Sequence, residues 1–404
     1  MELVTLQDIK NARHNLDGII EETELDYSRT FSKLSGNEIY LKPENLQRTG
    51  SFKIRGAYNK IVNLTAKEKE KGVVAASAGN HAQGVALGAT KAEIDSTIIM
   101  PKGAPIAKVK ATQDYGAKVI LSGNTYDEAH EKEEEYAEET GATIIPAFND
   151  LDVIAGQGTI GLEILEELPD VEVIIAPIGG GGLLSGIATA VKETKPNVEI
   201  IGVEAVQAAS MKASLRRGEV KTLTTVDTIA DGIAVKRPGD LTYKIISKYV
   251  DHIVTVSEEE IAHAISLLSE RSKLIVEGAG ATGLAAVLND KILLHGKKVA
   301  IVLSGGNIDL DMISTIIDRG MVKAGRRTVL TTRLPDTPGV LKKLLSVIAK
   351  TEANVISVHH DRLNPDISLK QAEVELALET KDSEHIEKII NKLKESGYDL
   401  KRLR

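Results

Sequence analysis

The chain has no cysteine, which excludes disulfide bridges, thiolate nucleophiles and cysteine metal ligands. It also has no excess of basic charge. Fifty lysines and arginines (50) face 58 aspartates and glutamates, and a net charge of -8 attracts neither nucleic acid nor an acidic membrane surface. No apolar run approaches bilayer-spanning length. The opening MELVTLQDIK is acidic where a secretory leader would be basic and then apolar. A cytoplasmic protein without nucleic-acid or membrane partners is expected. Missing as well are a GxxxxGK[ST] nucleotide loop, an HExxH zinc motif and calcium-loop spacing. What is present is ordinary globular composition: 404 residues, 42% hydrophobic and 27% charged, enough for two or three domains.

Thr5 and Asp8 have capping-box spacing ahead of a helix reaching about Ile20. EIYLK is a short strand leading to ENLQRTGSFKIRGAYN, with a helix from about Ser51. Strands and helices then alternate: GVVAAS, STIIMP, AKVILSG, ATIIPA, VEVIIAPIG and VEIIGVEA are strands with amphipathic segments between them. The acidic TYDEAHEKEEEYAEET reads as a solvated helix. Gln207 to Arg237 has no regular pattern, Ser257 and Glu260 cap a later helix, and KKVAIVLS is a last apolar strand. The alternation predicts right-handed βαβ units and parallel sheets, which bind ligands at the carboxyl ends of their strands.

Four motifs stand out: Lys53 in SFKIRG and, falling at or just past such ends, SAGNH at Ser77 to His81, IGGGG at Ile178 to Gly182, and LSGGN at Leu303 to Asn307. IGGGG lies between a strand and a helix, so its N–H groups can converge on an anion at the positive end of the helix. SAGNH alone would pass for a helix cap and Lys53 alone for a surface lysine. A GxGxxG run at Gly278, Gly280 and Gly283 fails as a dinucleotide fingerprint, because a helical pattern precedes it and the next strand ends in Ser304.

In this order and spacing the four motifs resemble the fold-type II family of pyridoxal-phosphate enzymes, and within it the threonine dehydratases (threonine ammonia-lyases). The resemblance covers residues 1–325 and implies a tryptophan synthase β-like α/β fold of two parallel-sheet lobes, the smaller at about residues 50–150. It implies pyridoxal 5'-phosphate bound covalently at Lys53, with Phe52 beside its ring and Asn80 on its 3-oxygen. Gly179, Gly180, Gly181 and Gly182 would hold the phosphate, and Ser304 would meet the pyridine nitrogen. Ser77, Ala78, Asn80 and His81 would meet the substrate carboxylate. A neutral hydroxyl at the ring nitrogen favours loss of a β-substituent over transamination. The implied reaction is deamination of L-threonine to 2-oxobutanoate and ammonia, with L-serine to pyruvate beside it. Serine dehydratase and serine racemase are the rivals within the family, and an amino-acid sensor on an inactive scaffold is the rival outside it. Mammalian-type racemases carry a serine where this chain has Ala78, so negligible racemisation is expected. Relatives bind a divalent cation near positions matching Glu204, Ala208 and Ser210. Ser210 replaces the second acid, leaving a monovalent ion or none as equal alternatives.

From Arg327 the order becomes strand, helix, strand, the turn NPD, strand, helix, strand, which is the ferredoxin-like α+β motif. With DTPG at its first turn, residues 326–404 resemble an ACT regulatory domain. The resemblance implies amino-acid binding at Asp336, Thr337, Gly339 and Asn354 between paired domains, with a branched-chain amino acid as effector and a homodimer or homotetramer as the assembly. A dimerisation module without a ligand is the equal alternative. His359 and His360, adjacent on a strand, point to opposite faces and do not chelate one metal. Biosynthetic service to isoleucine and a catabolic role are both open.

Overall fold

The computed structural model describes residues 3–363 and 365–403; Asn364 of the NPD turn lies outside them. The first helix has its capping box: the Asp8 N–H donates to Thr5 Oγ1 at 3.3 Å, and Asp8 Oδ2 accepts the Thr5 N–H at 2.9 Å. It ends at Leu16, earlier than its pattern suggests. In chain order the strands are β1 (Asp26–Tyr27), β2 (Glu38–Lys42), β3 (Val73–Ala76), β4 (Ser96–Met100), β5 (Lys118–Leu121), β6 (Thr143–Ile144), β7 (Val173–Pro177), β8 (Glu199–Ala205), β9 (His252–Val256), β10 (Lys298–Val302), β11 (Arg327–Pro335), β12 (Asn354–Asp361), β13 (Gln371–Glu379) and β14 (Leu400–Arg402).

The larger sheet has the order β1-β2-β10-β7-β8-β9, parallel except for β1. β10, last of these in sequence, lies inside the sheet with Val299, Ala300, Ile301 and Val302 fully buried. Cover on both faces explains why its sequence is an unbroken apolar run. The smaller sheet, β5-β4-β3-β6, is wholly parallel. Its helices pack Ala57, Ile61, Val85 and Ala89 onto Val73, Ala75 and Ile98. Both sheets belong to one unit, residues 1–308.

The second unit is residues 309–404, so the helix Leu310–Lys323, placed before Gly325 with the catalytic part in the sequence, groups with the C-terminal unit. Its sheet is antiparallel in the order β12-β13-β11-β14, with helices Val340–Ala349 and Ser383–Glu395 supplying the expected βαββαβ order. Burial alternates along β11 and β13, with Leu330, Val374, Leu376 and Leu378 turned inward onto Leu344, Ile348 and Ile389.

Two local expectations change. The irregular stretch after Gln207 contains the helix Ser210–Arg217 and a short turn, Asp231–Ile233. The helix Tyr126–Thr140 is acidic as read, but it is not solvated throughout. Glu133 is only 3% exposed, because its carboxylate accepts a backbone hydrogen bond inside the smaller lobe.

Candidate active site

Lys53 opens the helix Lys53–Val62, and its Nζ donates to the Ala147 carbonyl at 3.0 Å. Burial draws its pKa down to about 8, against an upward pull from Glu277. The neutral, nucleophilic amine is therefore accessible near neutral pH. Phe52 is buried, with its ring centroid 5.2 Å from Nζ. Its N–H donates to the Ser304 carbonyl at 3.1 Å, and Ser51 bridges to Gly305. These two links bind the lysine stretch to the LSGGN loop, where Ser304 is buried just past β10.

Two residues on from Lys53, Arg55 enters a buried charge network. Arg55 is fully buried and donates to both Glu44 oxygens at 2.8 Å, while also pairing with Glu163. Lys42 joins through Glu163 at 2.9 Å and Glu167 at 2.7 Å. Removing one charge from such a group leaves another buried and uncompensated, so the network fixes its elements against one another.

The SAGNH turn follows β3. Ser77 Oγ accepts the Gly79 N–H at 3.2 Å. His81 Nε2 donates to the Ile145 carbonyl at 2.7 Å, and burial together with the Lys53 charge lowers its pKa to about 3, so it is neutral. Asn80 Nδ2 donates to Glu277 Oε1 at 2.8 Å and Oε2 at 3.0 Å, and Asn80 Oδ1 is buried without a partner.

The glycine loop runs from β7 into the helix Gly182–Thr194, whose start has no side-chain cap. A Cβ on Gly180 would lie 2.3 Å from the Phe148 ring, and one on Gly182 would lie 2.9 Å from the Phe148 Cβ. Gly181 has φ +96°, a conformation that favours glycine. Phe148 follows Ala147, the acceptor of Lys53, so one short segment reaches both the lysine and the glycine loop.

Glu277, Phe148 and the Arg55 network escaped the sequence reading. Glu277 precedes the glycine run that fails as a dinucleotide motif; an acid directly before a helix is the available signal. That run lies within the helix Gly278–Leu288 itself. Glu277 is 7% exposed, and burial raises its pKa to about 7, with Asn80, Lys108 and Lys53 pulling downward and Asp231 upward.

Elsewhere, Glu204 is buried, with its oxygens accepting the Met211 and Lys212 N–H groups at 2.8 and 2.9 Å. It thus caps the helix Ser210–Arg217, with Ser210 Oγ unpartnered and Ala208 in the preceding turn. Among the described residues, no group of three histidines or acids is placed to hold a metal. In the C-terminal unit, Asp336 pairs with Arg362 at 3.1 Å, its N–H donates to the Lys370 carbonyl at 2.9 Å, and Asn354 Nδ2 donates to Glu379 at 3.2 Å. Thr337 and Gly339 complete that turn, Gly339 with φ +88°.

An uncapped helix start with a cradle that tolerates no β-carbon suits a phosphate. A buried amine of lowered pKa beside an unpartnered amide oxygen suits an aromatic aldehyde with a polar ring substituent. The residues fit pyridoxal phosphate. The pyridoxal-phosphate dependent enzyme family matches residues 16–305 and the ACT domain family matches residues 327–397. The chain belongs to the first family and carries the second as its C-terminal domain.

More particularly, it is similar to the L-threonine ammonia-lyase of Thermotoga maritima, 54% identical over 399 residues covering 99% of each chain. Among solved structures it resembles the processed form of threonine deaminase isoform 2 from Solanum lycopersicum, with TM-score 0.76, 37% identity, and coverage of 80% of this chain and 91% of that one. It also resembles the serine racemase of Dictyostelium discoideum, with TM-score 0.71, 39% identity, and coverage of 76% and 99%. Among the described residues, no helix is long and apolar enough to cross a membrane.

Proposed function

We infer that this chain is an L-threonine ammonia-lyase, converting L-threonine to 2-oxobutanoate and ammonia. The observation that supports the reading is the set of contacts joining the four motifs: Lys53 to the glycine loop through Ala147 and Phe148, the lysine stretch to Ser304 through Phe52, and Asn80 to Gly305 through Glu277. The chain is also 54% identical over nearly its whole length to an enzyme of that name. Bound pyridoxal phosphate withdraws electrons from the substrate α-carbon.

The chain's own residues do the rest. Lys53 Nζ would hold the cofactor and would also serve as the base for the substrate α-proton; its depressed pKa makes the amine available for both tasks. The main-chain and hydroxyl groups of Ser77 to His81 would orient the substrate carboxylate, and Asn80 would set the cofactor's 3-oxygen. Ser304 would offer the ring nitrogen of a bound cofactor a neutral hydroxyl, which would favour departure of the β-hydroxyl over transamination. The released enamine takes up water to give the keto acid and ammonia. Ala78 has no proton to deliver on the opposite face, so racemisation is not expected, and L-serine yields pyruvate by the same steps.

The same proposal gives the ACT domain a branched-chain amino acid at Asp336, Thr337, Gly339 and Asn354, a homodimer or homotetramer as the assembly, and the cytoplasm as location. The enzymatic reading is tested by visible absorbance and keto-acid release on adding L-threonine. A cofactor band absent from Lys53→Ala, together with 2-oxobutanoate formation, is the expected result. A band without keto acid would refute the substrate. The regulatory reading fails if removing residues from Gly325 onward leaves assembly and the response to isoleucine or valine unchanged.

A further inference from the structure

At the end of β3 the strand lacks a neighbour on its β6 side. The N–H groups of Val73 and Ser77 point toward β4, donating to the Asp95 and Ile99 carbonyls at 2.9 and 3.1 Å. The carbonyls of Gly72 and Val74 point the other way and accept the Thr143 and Ile145 N–H groups at 3.0 and 2.9 Å. Backbone groups alternate along a strand, so the Ala76 N–H also faces the β6 side. There β6 has already stopped at Ile144, the Ile145 carbonyl is taken by His81 Nε2, and the Ala147 carbonyl meets Lys53. Ala76 is 4% exposed, and a buried N–H without an acceptor is costly.

Glu133 fills the gap, with Oε1 accepting the Ala76 N–H at 2.6 Å. It reaches in from the helix Tyr126–Thr140, and its other oxygen is engaged by His130 Nδ1. The His130 ring stacks on Tyr126, with centroids 6.1 Å apart and planes at 10°. One residue beyond Ala76 the chain enters Ser77.

We propose that Glu133 is a positioning residue for the Ser77–His81 turn, standing in for the strand pairing that β6 gives up in order to reach Lys53, with His130 fixing the carboxylate through its second oxygen. The proposal rests on the assignment of that turn to the substrate. It explains a buried acid within an otherwise solvated acidic run, and it ties that helix to substrate orientation without any contact to substrate.

The test compares Glu133→Ala, Glu133→Gln and His130→Ala as full-length, cofactor-loaded enzymes with L-threonine. Loss of the acceptor should raise KM about tenfold and change kcat less than about threefold, since a displaced carboxylate site weakens binding before chemistry. Glu133→Gln, whose side-chain oxygen can still accept the Ala76 N–H, should restore KM to within about twofold of wild type. Deuterium exchange at Ala76 should be faster in Glu133→Ala and protected in Glu133→Gln. A lowered melting temperature with unchanged KM would show Glu133 to be structural only and overturn the proposal, as would a failure of Glu133→Gln to rescue. Should Glu133→Ala not fold, His130→Ala decides, because it leaves the Ala76 acceptor in place: a raised KM supports the proposal and an unchanged KM overturns it. Inactivity of the wild-type enzyme on threonine would sink the substrate assignment instead, and Ala76 exchange would still report on Glu133.

Discussion

Replacing Glu277 by glutamine should make the cofactor-free protein more stable, and only at the upper end of the pH range. The carboxyl is 7% exposed and sits at about 7 where 4.5 is ordinary, chiefly through burial. Its folded-state pKa is raised, so the folded state binds its proton more tightly than the unfolded state does. That contribution is complete below about pH 4.5 and is lost as pH rises toward about 7. Relative to a side chain that never ionises, the cost above neutrality is roughly 3 kcal/mol, at about 1.4 kcal/mol for each tenfold change in proton affinity. Glutamine keeps the shape, accepts from Asn80 Nδ2, and can donate to the unpartnered Asn80 Oδ1. With an unfolding entropy of about 2.1 cal/mol/K per residue over the 308-residue unit, 3 kcal/mol amounts to a Tm gain of about 5 °C. Thermal unfolding of the two apoproteins from pH 5 to pH 8.5 should show a gap that is small at the acid end and widens to a plateau. A gap independent of pH, or wild type the more stable at pH 8.5, would refute the reasoning.

Gly180→Ala should abolish cofactor retention, because its β-carbon would lie 2.3 Å from the Phe148 ring; the visible band after gel filtration measures this. Arg55→Met leaves Glu44 and Glu163 without their shared partner and should cost about 3–5 kcal/mol in urea unfolding; a loss below about 1 kcal/mol would show the network to be dispensable. The rate at which apoprotein takes up pyridoxal phosphate should rise with pH to a midpoint near 8, where Lys53 loses its proton, and a midpoint above 10 would contradict the burial described for that amine.

The parts of this fold legible in the sequence were those with local periodicity. Apolar runs such as KVAIV marked strands covered on both faces, and capping boxes at Thr5 and Ser257 marked helix starts. The glycine loop was legible because close backbone approach leaves few residue choices. Glu277, Phe148 and Glu133 were not, for a common reason: each acts across a long stretch of chain, and its neighbours in sequence say nothing about its partner in space. Glu133 was hidden further by its company, since a burial-driven carboxylate inside a run of solvated acids has no compositional mark. Helix ends drifted by several residues, as at Leu16, because the amphipathic pattern outlasts the hydrogen-bonded turns.

The central position of β10 has a consequence for synthesis. Residues 38–42 have no parallel partner until residues 298–302 have left the ribosome, and Ser51 has none until Gly305 has followed. At about 5–20 residues per second the delay is on the order of tens of seconds. Strands β3 to β6 form a contiguous block that can pair during that interval. The nascent chain can therefore pair its smaller sheet while Ser51 and Phe52, next to Lys53, still lack their partners Gly305 and Ser304, so a truncated product would leave that stretch unbraced.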